Sequence, residues 1–185
     1  MIKKISENVW AIDAGSMVYF IDAEEKILID TGERQKRSEL VMFLDKVIQF
    51  DKIQKVIFTH LHYDHIGNFD LFPNAKFYAS QKEIDCLKKD RVGTILNEDM
   101  AQKFNVELLP LENMDGLEVI ETPGHTAGSI CLWYPQALLL FTGDTIFKKG
   151  YGRTDLPTSV PNRIVSSVMK LVELPYKKMA PGHDY

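Results

Sequence analysis

The most informative segment of this chain is Thr59-His-Leu-His-Tyr-Asp-His-Ile-Gly-Asn68, which follows the strand-like run KVIFT. It places three histidines and an aspartate within six residues. The histidines do not have the four-residue spacing of a helical H-E-x-x-H site. On an extended segment, alternate residues point to one side, so His60 and His62 can share one metal ion. Asp64 and His65, in the turn that follows, then reach a second ion.

The other two histidines also follow short strand-like segments. His125 and His183 each come directly after a Pro-Gly pair, and Asp144 lies in Thr-Gly-Asp-Thr after the apolar run ALLLF. Loops at strand ends are held by the sheet and remain open to solvent and substrate. A lone histidine is usually a surface residue or a satisfied core residue. That interpretation suits any one of these histidines, but not all five in strand-end loops.

The donor types favour a transition metal. Neutral imidazoles and carboxylates suit zinc, iron or manganese, and the motifs contain no cysteine of the kind that builds closed structural zinc sites. The two cysteines, Cys86 and Cys131, lie far apart in sequence and form no C-x-x-C pair. We therefore expect reduced thiols in a cytoplasmic protein.

These motifs resemble those of the metallo-β-lactamase superfamily. The segment THLHYDHIGN is similar to its T-H-x-H-x-D-H-x-G signature. Four further stretches match in order: Leu28–Gly32, Thr122–Ser129, Phe141–Thr145 and Pro181–Asp184. The resemblance implies an α+β fold, the αβ/βα sandwich, in which two mixed β-sheets lie face to face with helices outside. We expect one such domain over residues 1–185.

The resemblance also implies a ligand set for two divalent metal ions, with zinc as the first expectation and iron or manganese as alternatives. The first ion would be bound by His60, His62 and His125, the second by Asp64, His65 and His183, and both by Asp144. Asp30 would accept a hydrogen bond that orients the histidine segment, unless it is a simple turn residue. His62 stands where the oxygen-reducing di-iron branch of the superfamily carries glutamate, which argues against that branch.

Two cations that share a water lower its pKa towards neutrality, so we assign catalysis to a metal-bound hydroxide. Neither Ser16 nor Ser129 lies in a G-x-S-x-G nucleophile elbow, and Asp64 is interpreted as a ligand and not as a free base.

Within the superfamily, the chain is similar to glyoxalase II, a hydroxyacylglutathione hydrolase that cleaves thioesters. Arg153 and Tyr185 stand where glyoxalase II has a lysine and a tyrosine that contact glutathione. An arginine fork suits a substrate carboxylate, although pairing of Arg153 with Asp155 is equally compatible with the sequence. Glyoxalase II continues with a helical domain, whereas this chain stops at Tyr185.

Gly152–Pro157 is closer to the short glyoxalase-II-like hydrolases and to the persulfide dioxygenases. The latter use a single iron, which here would be bound by His60, His125 and Asp144. A metal-stabilised binding module without catalysis is a third hypothesis. The sequence leaves the oligomeric state and the natural thioester or ester substrate open.

Hydrophobic periodicity predicts a meander of three strands in the first thirty residues, at Val9–Ile12, Met17–Ile21 and Lys26–Asp30. It also predicts an amphipathic helix over about residues 34–49. It predicts strands at Lys76–Ala79 and Ser129–Tyr134, a helix at Gln81–Lys89, and a last helix that begins at Pro161. Residues 90–105 are compatible with either a second helix or an irregular lid.

Composition excludes other classes. The chain has 185 residues and a net charge of −4, which argues against a nucleic-acid partner that needs a basic face. It contains no run of 18 apolar residues and no secretory signal, so we expect no membrane association.

Overall fold

The computed structural model describes residues 1–114 and 116–183. Its larger sheet has seven strands in sequential order, with antiparallel pairing from β1 to β4 and parallel pairing from β4 to β7. The strands are β1 (Ile2–Ser6), β2 (Val9–Ala14), β3 (Ser16–Asp22), β4 (Lys26–Ile29), β5 (Lys55–Ile57), β6 (Lys76–Ala79) and β7 (Leu108–Pro110).

The smaller sheet has four strands, and a two-stranded hairpin stands apart from it. The strands in chain order are β8 (Glu118–Glu121), β9 (Ile130–Tyr134), β10 (Leu139–Gly143), the hairpin strands β11 (Ile146–Phe147) and β12 (Gly150–Tyr151), and β13 (Lys178–Pro181). The sheet order is β13-β10-β9-β8, and β13 pairs with β10 in parallel while the other pairs are antiparallel. Both sheets are therefore mixed.

Three apolar clusters show how the layers pack. In β9, alternate residues face opposite sides: Ile130, Leu132 and Tyr134 pack against residues of the larger sheet, whereas Cys131 and Trp133 face outward. The outer face of the larger sheet carries a second cluster with the helices that follow β4 and β6. The result is the expected α+β sandwich of two mixed sheets with helices outside.

Six α-helices of the described residues pack on or beside these faces. They are α1 (Arg37–Leu44), α2 (Tyr63–Ile66), α3 (Gln81–Lys89), α4 (Arg91–Ile95), α5 (Glu98–Lys103) and α6 (Ile164–Val172). Helix α3 begins at Ser80, whose Oγ accepts a hydrogen bond from the Glu83 backbone N–H, the usual cap for a helix start. In α6, Leu171 packs on the outer face of the smaller sheet. Among the described residues, no helix is long and apolar enough to span a bilayer.

The structure corrects one local prediction and adds to the sequence analysis at two other places. The helix predicted over about 34–49 is an α-helix only over Arg37–Leu44. The chain continues in turns after Leu44, and Val47 and Ile48 pack on the core from there. Strand β1 was not predicted, since two lysines interrupt its apolar alternation at the edge of the sheet. Residues 90–105 form the two short helices α4 and α5, each with an Asp or Asn cap.

Candidate metal centre

The candidate ligands converge at one edge of the sandwich. His60 and His62 lie on the extended segment after β5, and His65 is in α2. His125 lies on the loop between β8 and β9. Asp144 directly follows β10, and His183 follows β13. Because β10 and β13 are parallel neighbours, their carboxyl ends place Asp144 and His183 side by side.

The donor atoms form three groups, each compact enough for its members to share one metal ion. Within each group, one nitrogen or oxygen of every residue lies within 4.8 Å of the others. The groups are His60, His62 and His125; His60, His65 and Asp144; and Asp64, His65 and His183. We call the first group the three-histidine set and the last group the mixed set. All seven residues predicted as ligands are thus brought together.

Buried donor atoms without partners indicate where a cation fits. His60 Nε2, His65 Nε2 and Asp144 Oδ1 are buried and make no hydrogen bond. Buried polar groups are normally paired, so three such atoms at one place need an explanation. His62 Nδ1 and His125 Nε2 lie 3.0 Å apart. Two ligands on one tetrahedral zinc ion, with bonds of about 2.0 Å, lie about 3.3 Å apart. The residues fit a metal ion.

Hydrogen bonds on the far side of the rings fix which nitrogen carries the proton. His125 Nδ1 lies 2.8 Å from the carbonyl oxygen of Arg153, which only accepts, so Nδ1 is the donor. His60 Nδ1 lies 3.1 Å from Thr59 Oγ1, and that hydroxyl lies 2.8 Å from an Asp30 carboxylate oxygen to which it donates. In both rings Nε2 is therefore left with a lone pair, the form that binds a metal.

Asp30 joins two ligand-bearing segments. Its carboxylate accepts from the Thr59 backbone N–H, from the Thr59 hydroxyl and from His65 Nδ1, each at 2.8 Å. Asp30 is buried and has a left-handed backbone with φ of +58°, which is uncommon for a residue other than glycine. Asp30 therefore orients the segment that carries His60, and it is more than a turn residue.

The two donor sets differ in charge. Burial lowers the pKa of His60 well below its usual value and that of His62 to about 3, and nearby imidazoles add to this. Burial also lowers the pKa of His125. The three-histidine set is thus neutral near pH 7, as metal ligands must be.

In the mixed set, carboxylates outweigh burial. Burial lowers the pKa of His65, but Asp144, Asp30 and Asp64 together raise it well above the usual value. Burial raises the pKa of Asp64, and His65 and His183 more than reverse that effect. Several carboxylates therefore favour positive charge at this point, which a divalent cation supplies.

A cavity of about 440 Å³ opens onto the donor atoms. Its wall includes apolar and aromatic residues and two cationic ones: Tyr63, Leu96, Phe147, Tyr151, Leu156, Lys149 and Arg153. The Arg153 guanidinium makes two bonds of 2.7 Å to the Asp155 carboxylate, the alternative that the sequence left open. That pair is at the surface, where both side chains are about two-thirds exposed. Tyr185 lies outside the described residues.

Sequence reasoning missed part of the cavity wall. The β11–β12 hairpin contains Phe147, Lys149 and Tyr151, and its two-residue strands are too short to show hydrophobic alternation. Leu96 lies between α4 and α5 and has a left-handed backbone. The two serines considered as nucleophiles have structural contacts. Ser16 Oγ donates to the Asp64 carbonyl, and Ser129 Oγ accepts from the Thr126 backbone.

Known proteins share both the sequence and the fold. The probable metallo-hydrolase MJ0888 of Methanocaldococcus jannaschii is 34% identical, covering 89% of this chain and 85% of that protein. The probable metallo-hydrolase M6_Spy0554 of Streptococcus pyogenes is 30% identical over 99% of this chain and 84% of its own length. A hydroxyacylglutathione hydrolase of Bartonella quintana is 33% identical, but the match covers 72% of this chain and 49% of that enzyme.

Among solved structures, TTHA1623 in a di-iron-bound form superposes with a TM-score of 0.73 at 26% identity. The superposition covers 92% of this chain and 88% of that one. The family profile of the metallo-beta-lactamase superfamily matches residues 12–183, a range that includes every candidate ligand. The chain belongs to the metallo-beta-lactamase superfamily, in which its relatives are named metallo-hydrolases.

Proposed function

We propose that the protein is a glyoxalase-II-like thioesterase that uses two divalent metal ions. The hydrolase class follows from the family, whereas the thioester substrate and the number of ions are the proposal. One observation carries it: Asp144 faces both donor sets. Its Oδ2 lies 3.7 Å from His125 Nε2 and 3.5 Å from His183 Nε2, and its Oδ1 lies 3.3 Å from His65 Nε2. A carboxylate so placed can bridge two ions.

A complete second donor set distinguishes this proposal from the single-iron alternative. A persulfide dioxygenase needs only His60, His125 and Asp144. Here Asp64 Oδ2 also lies 3.2 Å from His183 Nε2 and 3.7 Å from His65 Nε2. These three residues are close enough to bind one ion together. The mixed set therefore supports two ions, with zinc, iron and manganese all compatible with its donors.

When bound, such ions lower the pKa of a shared water and polarise the carbonyl under attack. The chain's own residues would hold these ions, and they orient the ligand side chains. Asp30 fixes the ring of His65, and the Arg153 carbonyl fixes that of His125. Asp64 faces two histidines, so its place is that of a ligand and not of a free base. The described residues offer no serine elbow as a competing nucleophile.

The cavity supports a substrate with an anionic end and an apolar body. Lys149 and Arg153 supply the positive charge at its rim, and Phe147 and Tyr151 supply aromatic surface. Glutathione thioesters such as S-lactoylglutathione have carboxylates that suit this arrangement. The match to a hydroxyacylglutathione hydrolase supports the same class, although this chain spans about half the length of that enzyme.

The test combines metal analysis with paired assays. Purified protein should hold close to two transition-metal ions per chain and cleave S-lactoylglutathione under strictly anaerobic conditions. His183→Ala should retain one ion and lose most of that activity, whereas Asp85→Asn, an exposed carboxylate change on α3, should alter neither. Oxygen uptake with glutathione persulfide, together with one iron and no anaerobic thioesterase activity, would overturn the proposal in favour of the dioxygenase.

A further inference from the structure

Glu83 is a fully buried carboxylate next to the candidate metal centre. It occupies the fourth position of Ser80-Gln-Lys-Glu83, the pattern of a capping box. In such a box the glutamate folds back onto the helix N-terminus. Here Ser80 caps the Glu83 backbone, but the Glu83 carboxylate points into the protein and bonds to two other loops.

Three donors from those loops converge on this carboxylate. Its Oε2 accepts from the Leu61 backbone N–H at 3.3 Å. Its Oε1 accepts from the Gly128 backbone N–H at 3.2 Å and from the Thr126 hydroxyl. The Ser80 hydroxyl adds a bond of 2.6 Å to the Gly128 carbonyl. Helix α3 is thus attached to both loops through its first turn.

The donors are neighbours of the three-histidine set. Leu61 lies between His60 and His62, and Thr126 directly follows His125. The carboxylate of Glu83 bonds to both loops and so links them at a defined separation. The fit is close, since a Cβ on Gly128 would lie 2.8 Å from Glu83 Cγ and would collide with the Glu83 backbone nitrogen.

We propose that Glu83 is a positioning residue that sets the affinity of the three-histidine set for its cation. It holds the His60–His62 segment and the His125 loop at the separation at which their imidazole nitrogens can share one ion. The proposal rests on the metal site argued above, but it does not depend on the substrate. Outer residues that orient metal ligands typically change metal affinity by about 10- to 100-fold when they are substituted.

The retention of a carboxylate at this place is itself informative. Burial raises the pKa of Glu83, and the Thr126, Leu61 and Gly128 donors only partly oppose that effect. No arginine, lysine or histidine forms an ion pair with it among residues 1–114 and 116–183. Three donors from two ligand loops nevertheless need an acceptor here, and an apolar side chain would leave them unpaired.

The substitution Glu83→Gln tests the proposal, because an amide nitrogen cannot accept and one donor then loses its partner. Stepwise binding of Co²⁺ to metal-stripped protein is followed by visible absorption and by competition with a chelator. His183→Ala identifies the step that belongs to the mixed set. We expect Glu83→Gln to weaken Co²⁺ binding at the three-histidine set by about tenfold or more. Co²⁺ binding at the mixed set should weaken by less than about threefold. Asp85→Asn on the same helix is the matched control and should bind as wild type.

Thr126→Val provides a second variant that removes one donor and keeps the two backbone bonds, so it tests the proposal even if Glu83→Gln does not fold. It should weaken the same step by a smaller factor. Equal weakening of both steps, or an unchanged three-histidine step in the variants that fold, would overturn the role of Glu83. Because the readout is Co²⁺ binding, a wild-type protein without thioesterase activity would refute the proposed substrate and leave this test intact.

Discussion

His125 Nδ1 donates a hydrogen bond of 2.8 Å to the carbonyl oxygen of Arg153. Arg153 thus serves the site twice, since its main-chain carbonyl orients a candidate ligand and the residue also lines the cavity. The neighbouring Gly152 explains how the two segments come so close. A Cβ at that position would lie 3.0 Å from His125 Nδ1 and would collide with the Asp144 carbonyl.

Because the carbonyl survives a change of side chain, Arg153→Ala should separate the two roles. We expect metal content to stay at the wild-type level. The KM for an anionic thioester should rise about two- to tenfold with little change in kcat, the range for an exposed charge that binds ground and transition states alike. Steady-state kinetics and elemental analysis measure both. Asp155→Asn, which releases the guanidinium, should not raise KM, and loss of metal in Arg153→Ala would contradict this division.

Asp144 is the residue whose loss should do most damage. It lies within 3.7 Å of histidines from both donor sets, so Asp144→Ala would remove a proposed ligand of each ion. We expect it to lower metal content and activity more than any single histidine substitution, whereas His183→Ala should chiefly empty the mixed set. The measurements are the number of metal ions per chain after dialysis and the turnover number. Two retained ions with near-normal turnover in Asp144→Ala would show that it does not bridge.

Asp30→Asn should act through orientation alone. Asparagine tolerates the left-handed backbone at φ of +58°, so the local fold should survive. Its amide nitrogen cannot accept, however, so either the Thr59 backbone N–H loses its partner, or the Thr59 hydroxyl and His65 Nδ1 both do. We expect metal affinity to fall by about 10- to 100-fold. Asp30→Ala should in addition lower the melting temperature, because alanine fits that backbone poorly. Wild-type affinity in the asparagine variant would refute the orienting role.

The two cysteine thiols should differ in reactivity, and the reactivity of Cys131 should depend on pH. Burial raises the pKa of Cys131 to about 11, so near pH 8 only about one molecule in a thousand carries the reactive thiolate. The fraction rises with pH but stays small until the pH approaches the raised pKa. Iodoacetamide at pH 8 should therefore modify the partly exposed Cys86 before Cys131, as peptide mass spectrometry would show. Metal content should not change, since neither thiol is in a donor set. Rapid labelling of native Cys131 would contradict its burial.

The ligand cluster could be predicted because its residues stand at strand ends, where topology brings loops to one edge. The sequence also marks the three later loops with Pro-Gly or Thr-Gly directly before the ligand. By contrast, the contacts of Arg153 could not be decided, since cavity and Asp155 lie equally within reach of its side chain. Tyr185 stays a prediction.

The role of Glu83 was hidden for a different reason. Its local pattern is that of an ordinary helix cap, and nothing near it in sequence indicates that Leu61 and Gly128 will lie beside it. The hairpin residue Tyr151 was missed because two-residue strands show no alternation. Long-range contacts of this kind depend on how the layers pack, which a local pattern does not encode.

The parallel pairing of β13 with β10 also has a consequence for biosynthesis. During synthesis, the segments that carry His60, His62 and His125 emerge from the ribosome before residue 183. The three-histidine set can therefore form before His183 is available. The mixed set has to wait until β13 has docked beside β10 and placed His183 next to Asp144. If the chain binds the two ions proposed above, their loading would be ordered by strand assembly, and the second ion would enter only after β13 has joined the smaller sheet.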